Sequence, residues 1–165
     1  MTPAKATSST EGRDLILTLV IHATPASVYA AWTEPTLLKQ WFTPPPWQTS
    51  AAETDVRPGG STCITMRGPD GSEFPNRGVY LEVVPNQRLV FTNAYTSAWE
   101  PSDKPFMTVV LTFDPHPDGT LYTARVRHWT IADREQHEAM GFHTGWPICT
   151  EQLAALIEPK IAEPK

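Results

Sequence analysis

Apolar positions along this chain follow two periods in turn. Residues 14–22 (DLILTLVIH) are β-branched and apolar, and predict a first strand. Thr24-Pro25 reads as a helix cap followed by proline in the first turn, and Val28, Tyr29 and Trp32 share one helical face. Thr33-Glu34-Pro35 breaks that helix. A second short one is predicted over 36–41, ended by Pro44-Pro45-Pro46. Six β-rich runs follow, at 50–56, 61–67, 77–84, 88–95, 106–113 and 121–129. In the fifth, Met107, Val109, Leu111 and Phe113 alternate with mostly threonine. In the sixth, Tyr122, Ala124, Val126 and His128 alternate with Thr123, Arg125 and Arg127. This is the pattern of an antiparallel sheet with one buried face. The period then becomes helical: Phe142, Trp146, Cys149, Leu153 and Leu156 form a stripe within a helix predicted over 133–158. Asp133 is its expected cap and Pro147 its expected kink. Gly141 and Gly145, one turn apart, suggest a close approach by a strand or ligand.

The fold class that results is α+β. Two short helices follow the first strand, and a seven-stranded curved antiparallel sheet wraps on a long C-terminal helix. Residues 1–12 are polar and read as a flexible tail, and 13–160 as one domain. The turns Arg57-Pro58-Gly59-Gly60, Gly68-Pro69-Asp70-Gly71, Pro85-Asn86-Gln87 and 114–119 separate the strands.

Composition changes this picture in three places. The net charge of −5, with scattered basic residues, argues against nucleic acid or an anionic membrane as partner. No apolar run is long enough to span a membrane, and with no signal-like stretch the expected location is the cytoplasm. Two cysteines, Cys63 and Cys149, are expected as free thiols, and six tryptophans are enough to line a wide cavity.

The words of the sequence add a resemblance. Ala31-Trp32-Thr33-Glu34-Pro35, Trp41, Arg57-Pro58-Gly59-Gly60, Gly68-Pro69-Asp70-Gly71, Arg88-Leu89-Val90-Phe91-Thr92, Gly145-Trp146 and Gln152-Leu153 resemble the activator-of-heat-shock-protein-90-ATPase homologue family. The single-domain bacterial type is the nearest match, within the START-like, or SRPBCC, helix-grip superfamily. The resemblance covers about 14–158. It implies a helix-grip fold with an internal cavity between the sheet and the C-terminal helix. The superfamily includes lipid carriers, hormone receptors and polyketide cyclases, so it does not fix an activity. The eukaryotic co-chaperone carries an additional N-terminal domain, for which this chain has no room, so chaperone activation is not implied.

Candidates to line the cavity are Trp32 and Trp41 from the short helices, and Phe91, Met107, Val109, Tyr122 and Val126 from the sheet. His128, Met140, His143 and Trp146 complete the set. His128 is the one catalytic candidate, since an imidazole can orient a carbonyl or move a proton near neutral pH. Metal-ligand spacings, phosphate loops and nucleophile elbows are missing from the sequence, so no metal and no cofactor are expected. The leading expectation is binding of an apolar or aromatic small molecule, without a firm catalytic set. The alternatives are a cyclase, dehydratase or hydrolase using His128 with Tyr80, Tyr95 or Tyr122, and a co-chaperone-like interaction domain. A homodimer is compatible with each.

Overall fold

A computed structural model describes residues 5–159 of the chain. Ten strands and four helices follow in the order β1 (Thr7–Glu11), β2 (Asp14–Ile21), α1 (Pro25–Thr33), α2 (Pro35–Trp41), β3 (Gln48–Thr54), β4 (Ser61–Arg67) and β5 (Glu73–Val84). Then come β6 (Arg88–Thr92), β7 (Tyr95–Ser97), β8 (Glu100–Pro101), β9 (Thr108–His116), β10 (Gly119–Arg127), α3 (Ile131–Ala139) and α4 (Phe142–Ile157).

All seven strands expected from the sequence are present, and the main sheet has an eighth. Its order is β1-β2-β10-β9-β6-β5-β4-β3, with every neighbour antiparallel. The added strand lies in the stretch read as a tail. Residues 7–11 hairpin through Gly12, at φ 58°, onto β2. The run TSSTE has no apolar alternation because an edge strand exposed on both faces has nothing to bury, and its polar side chains suit an edge. The first four residues of the expected tail and the last residue of the expected domain lie outside the described residues. β7 and β8 make a separate two-stranded ribbon in the β6–β9 connection.

Strand alternation builds the core. Leu15, Leu17, Leu19 and Ile21 of β2, Val109, Leu111 and Phe113 of β9, and Tyr122, Ala124 and Val126 of β10 are all buried. The helices close this face. The Thr24 hydroxyl accepts from the Ser27 amide at the start of α1, with Pro25 next to it as its sequence predicts. Thr33 and Glu34 then hand the chain to α2 through a single extended residue.

The C-terminal segment is two helices rather than one. The break falls at Gly141, which has φ 101° and stands at the start of α4. An L-residue rarely adopts that φ, so the glycine serves the bend and not a close approach. Gly145 likewise has no neighbour where a Cβ would sit. Pro147 lies inside α4, which runs on through it. Thr130 caps α3 by accepting from the Asp133 amide, so Asp133 sits in the first turn instead of capping it.

α4 packs against α1, α2, β1 and β2. Its C-terminal half is held by polar clamps. The Gln152 side-chain amide donates to the carbonyls of Trp41 and Thr43, both at 2.9 Å, and the Glu158 carboxylate accepts from the His22 amide at 2.8 Å. Within the described residues no helix is long and apolar enough to cross a membrane.

Candidate functional site

The two halves of the sheet do different work. β2, β10 and β9 are covered by helices and form solid core. β4, β5 and β6 extend past the helical V, and between them and the V lies a cavity of about 440 Å³. That volume is in the range of pockets for small organic molecules.

Its inner end is apolar. Trp32 of α1 and Phe42, just after α2, face Ile64 of β4, Leu89 and Phe91 of β6, and Met107. Trp32 is 5 % exposed, and its indole N–H donates to the Tyr122 hydroxyl at 3.0 Å. The Trp32 ring also meets Trp41 edge-on at 4.8 Å, Phe42 at 6.1 Å and Phe91 at 5.6 Å. Trp41 is anchored from behind by its own N–H donating to the Ala31 carbonyl. The wall is therefore held by hydrogen bonds at the polar edges of its rings, which leaves their apolar faces available.

Tyr80 supplies the buried hydroxyl. Burial pushes its pKa up to about 12, against the opposing pull of the Thr62 hydroxyl beside it, so it is a neutral donor at physiological pH. The β-bulge between Tyr80 and Glu82 re-aims β5 at this point. The outer end is polar: Asn76, Arg77, Asp103 and Lys104 are exposed there, and Thr96 and Ser102 come from the β7–β8 segment. That segment is tied down by Asn93, whose side-chain oxygen accepts from the amides of Phe106 and Met107 at 2.8 and 2.9 Å.

The cavity lies between the sheet and the helical V, and no residue of α3 or α4 lines it. The sequence-based expectation of a pocket against the C-terminal helix is corrected accordingly. α4 packs onto α1, α2 and β2, with Leu153 and Ala154 buried in the core. Of the eleven expected lining residues, Trp32, Phe91 and Met107 line the cavity. Trp41, Val109, Tyr122 and Val126 are buried core. Trp146 is partly buried and packs on Phe142, with ring centroids 5.1 Å apart. Met140 is 69 % exposed at the end of α3. His143 is on the surface, where its Nε2 donates to Glu138 at 2.8 Å and its Nδ1 accepts from Ser8 at 2.7 Å.

His128 points inward and is 4 % exposed, but it does not reach the cavity. The Arg13 carbonyl can only accept, so His128 donates to it from Nδ1 at 2.9 Å, and its Nε2 accepts from Nδ1–H of His137, also at 2.9 Å. None of these bonds goes to Tyr80, Tyr95 or Tyr122, the partners that the enzyme alternative required. Phe106, Phe142 and Trp146 surround His137. Burial, and then the neighbouring His128, lower its pKa from 6.5 to about 4. The unfolded chain therefore binds a proton between these values that the folded chain does not, and folding stability falls as pH drops from 6.5 to about 4. His137→Phe keeps the aromatic packing and removes that share. Its Tm is expected to decline less steeply than the parent's over the same interval, and an equal decline would contradict the assignment.

Leu89, Ile64, Thr62 and Phe42 were not among the expected lining residues, and Tyr80 was named only as a partner of His128 in the enzyme alternative. Leu89 shares a face of β6 with Phe91 by alternation, and Thr62 shares one of β4 with Ile64, so three of these positions carried a usable signal. Among the described residues no group of three or more histidine, cysteine or acidic side chains is placed to hold a metal ion. Both cysteines are free, and burial pushes the Cys149 thiol up to about 12.

Solved structures share this architecture. A protein from Nitrosomonas europaea is 40% identical, with 90% of this chain and 96% of that chain aligned at a TM-score of 0.85. A protein from Mycobacterium smegmatis, at 23% identity, covers 97% of this chain and 100% of its own at a TM-score of 0.79, and shows the fold alone. An AHSA1-like protein from Aeromonas hydrophila does the same at 21% identity, covering 92% of this chain and 99% of its own at a TM-score of 0.67. No curated protein matches the chain. The pattern of one family runs through residues 22–158, from the end of β2 to the end of α4, and the chain belongs to that family, the Activator of Hsp90 ATPase homolog 1-like proteins.

Proposed function

We propose that this chain binds an apolar or aromatic small molecule in the cavity between β4–β6 and the helical V, and that it acts as a binder rather than a catalyst. The observation that carries this reading is the cavity of about 440 Å³ with aromatic walls, inside a domain whose other half is solidly packed. A cleft of that size, apolar within and polar at its mouth, has the usual form of a small-molecule site. Trp32, Phe91 and Met107 offer ring faces and a pliable thioether to an apolar body, and the neutral Tyr80 hydroxyl offers one anchoring hydrogen bond. Binding is favoured over catalysis because, among the described residues, the cavity lining holds no histidine or cysteine, and its one acid, Asp103, has no basic partner within 4 Å to form a proton-transfer pair.

Native mass spectrometry of the chain purified from its own host tests this directly. The expected result is a one-to-one small-molecule adduct that disappears on denaturation and is reduced in Ile64→Trp, which fills the inner end. A chain that carries no adduct, and whose Tm responds to no member of a set of apolar compounds, would contradict it.

A further inference from the structure

The lining of the cavity is electrically lopsided. Eight arginines occur in the chain. Arg57, Arg67, Arg88, Arg125, Arg127 and Arg134 are in ion pairs, and Arg13 donates to the Trp129 carbonyl. Among the described residues, Arg77 is the one arginine whose side chain has neither kind of partner, and it stands at the outer end of the cavity. Lys104 stands at the same rim, also without an acid within 4 Å among the described residues. Among the described residues Asp103 is the only carboxylate there and pairs with neither, so two cations face one acid. This occurs on a protein of net charge −5, in which six of the eight arginines are in ion pairs.

A third observation concerns a hydroxyl in the same lining. The Ser102 side-chain oxygen is buried, has no hydrogen-bond partner, and belongs to the same lining. A hydroxyl cut off from water without a partner is costly, and one that lines a cavity can be satisfied by what enters it. A guanidinium, an ammonium and an idle hydroxyl together can supply several donors to an anionic group while accepting few in return.

Building on the binding reading above, we infer that the ligand is an amphipathic acid: an apolar or aromatic body at the Trp32–Leu89–Phe91 end, with an anionic group at the rim held by Arg77, Lys104 and Ser102. A neutral apolar compound of the same size would fill the inner end and leave these donors to water. The acid gains charge-assisted hydrogen bonds in addition.

Two fluorescent probes with one skeleton separate the two readings. Phenylnaphthylamine is uncharged, and anilinonaphthalene sulfonate is the same body with a sulfonate. Fluorescence titration of the full chain should give tighter binding of the sulfonate at low salt, weakening as salt is added. Arg77→Gln and Lys104→Gln should each weaken the sulfonate about fivefold to tenfold and leave the neutral dye within about twofold, as expected for loss of a hydrogen bond to a charged group. Lys39→Gln, an exposed cation outside the cavity, should change neither. If the neutral dye binds and Arg77→Gln and Lys104→Gln leave the sulfonate unaffected, the acid preference is wrong while the cavity reading stands. If both dyes lose affinity equally in these variants, the side chains shape the cavity and do not recognise charge, and the inference also falls. Binding of neither dye removes the cavity reading and this inference with it.

Discussion

Gly60→Ala is expected to destabilise the fold by about 3 kcal/mol or more, because the added methyl meets backbone and not a movable side chain. A Cβ at Gly60 would overlap the Asp55 carbonyl oxygen and lie 2.9 Å from that of Arg57. Neither can step aside. The Gly60 amide donates to the Arg57 carbonyl at 2.8 Å and its carbonyl accepts from the Tyr80 amide at 2.9 Å, while the Gly59 amide donates to the Tyr80 carbonyl at 2.7 Å. The turn between β3 and β4 is thereby fastened to β5 at the residue that brings the Tyr80 hydroxyl to the cavity. Displacing it would loosen three strands and the site together. Urea denaturation of the variant measures the loss, and a change below about 1 kcal/mol would mean that the turn relaxes freely. Gly59→Ala is a different case: its Cβ position is open, and the strain comes from its φ of 82° alone.

Trp32→Ala is expected to cost about 3–5 kcal/mol, the range for removing a large aromatic side chain from a core. Trp32 is where core and site meet. It packs on Trp41 and Phe42, faces the cavity beside Phe91, and gives the fully buried Tyr122 hydroxyl its one hydrogen-bond donor. Burial raises the Tyr122 pKa strongly, so the phenol stays neutral and an unpaired hydroxyl there would be a plain loss. Trp32→Phe separates the two contributions. It retains most of the packing and removes the N–H, so its cost should be about 1–3 kcal/mol, the penalty for a buried polar group left without its partner. Equilibrium unfolding of both variants reads the difference. Equal stability of Trp32→Phe and the parent would show that the indole N–H contributes nothing.

The strands that carry the core were readable in the sequence because each had one dry face. The period-two pattern of β2, β9 and β10 records a decision, in or out, at every residue. β1 was not readable because both of its faces are wet, so no pattern separates it from a tail. The C-terminal helices were read as one because the stripe from Phe142 to Leu156 keeps its period. Gly141 breaks the segment just before the stripe begins, and a backbone angle leaves no trace in hydrophobic spacing.

The site was harder to read for a related reason. An inward-facing residue of a sheet reads the same whether helix or empty space lies above it. Val109 and Phe91 come from adjacent, paired strands, and only the second faces the cavity. The helical V that divides them is placed by Trp32, Trp41 and Gln152 through hydrogen bonds over long sequence separations, from ten residues to more than a hundred. His128 shows the same limit. Its inward orientation was predictable from Tyr122, Ala124 and Val126, whereas its pairing with His137 depends on where α3 comes to rest.

The measurement that bears most directly on the whole account is a ligand-to-protein nuclear Overhauser spectrum of the chain with bound phenylnaphthylamine. It reports which side chains the apolar body touches. The account predicts contacts to the Met107 methyl, the Ile64 and Leu89 methyls and the Trp32 ring, and none to Trp146 or Leu153 of α4. Contacts to Trp146 and Leu153 with none to Ile64 and Leu89 would contradict it, and would return the binding site to the space beneath the C-terminal helix.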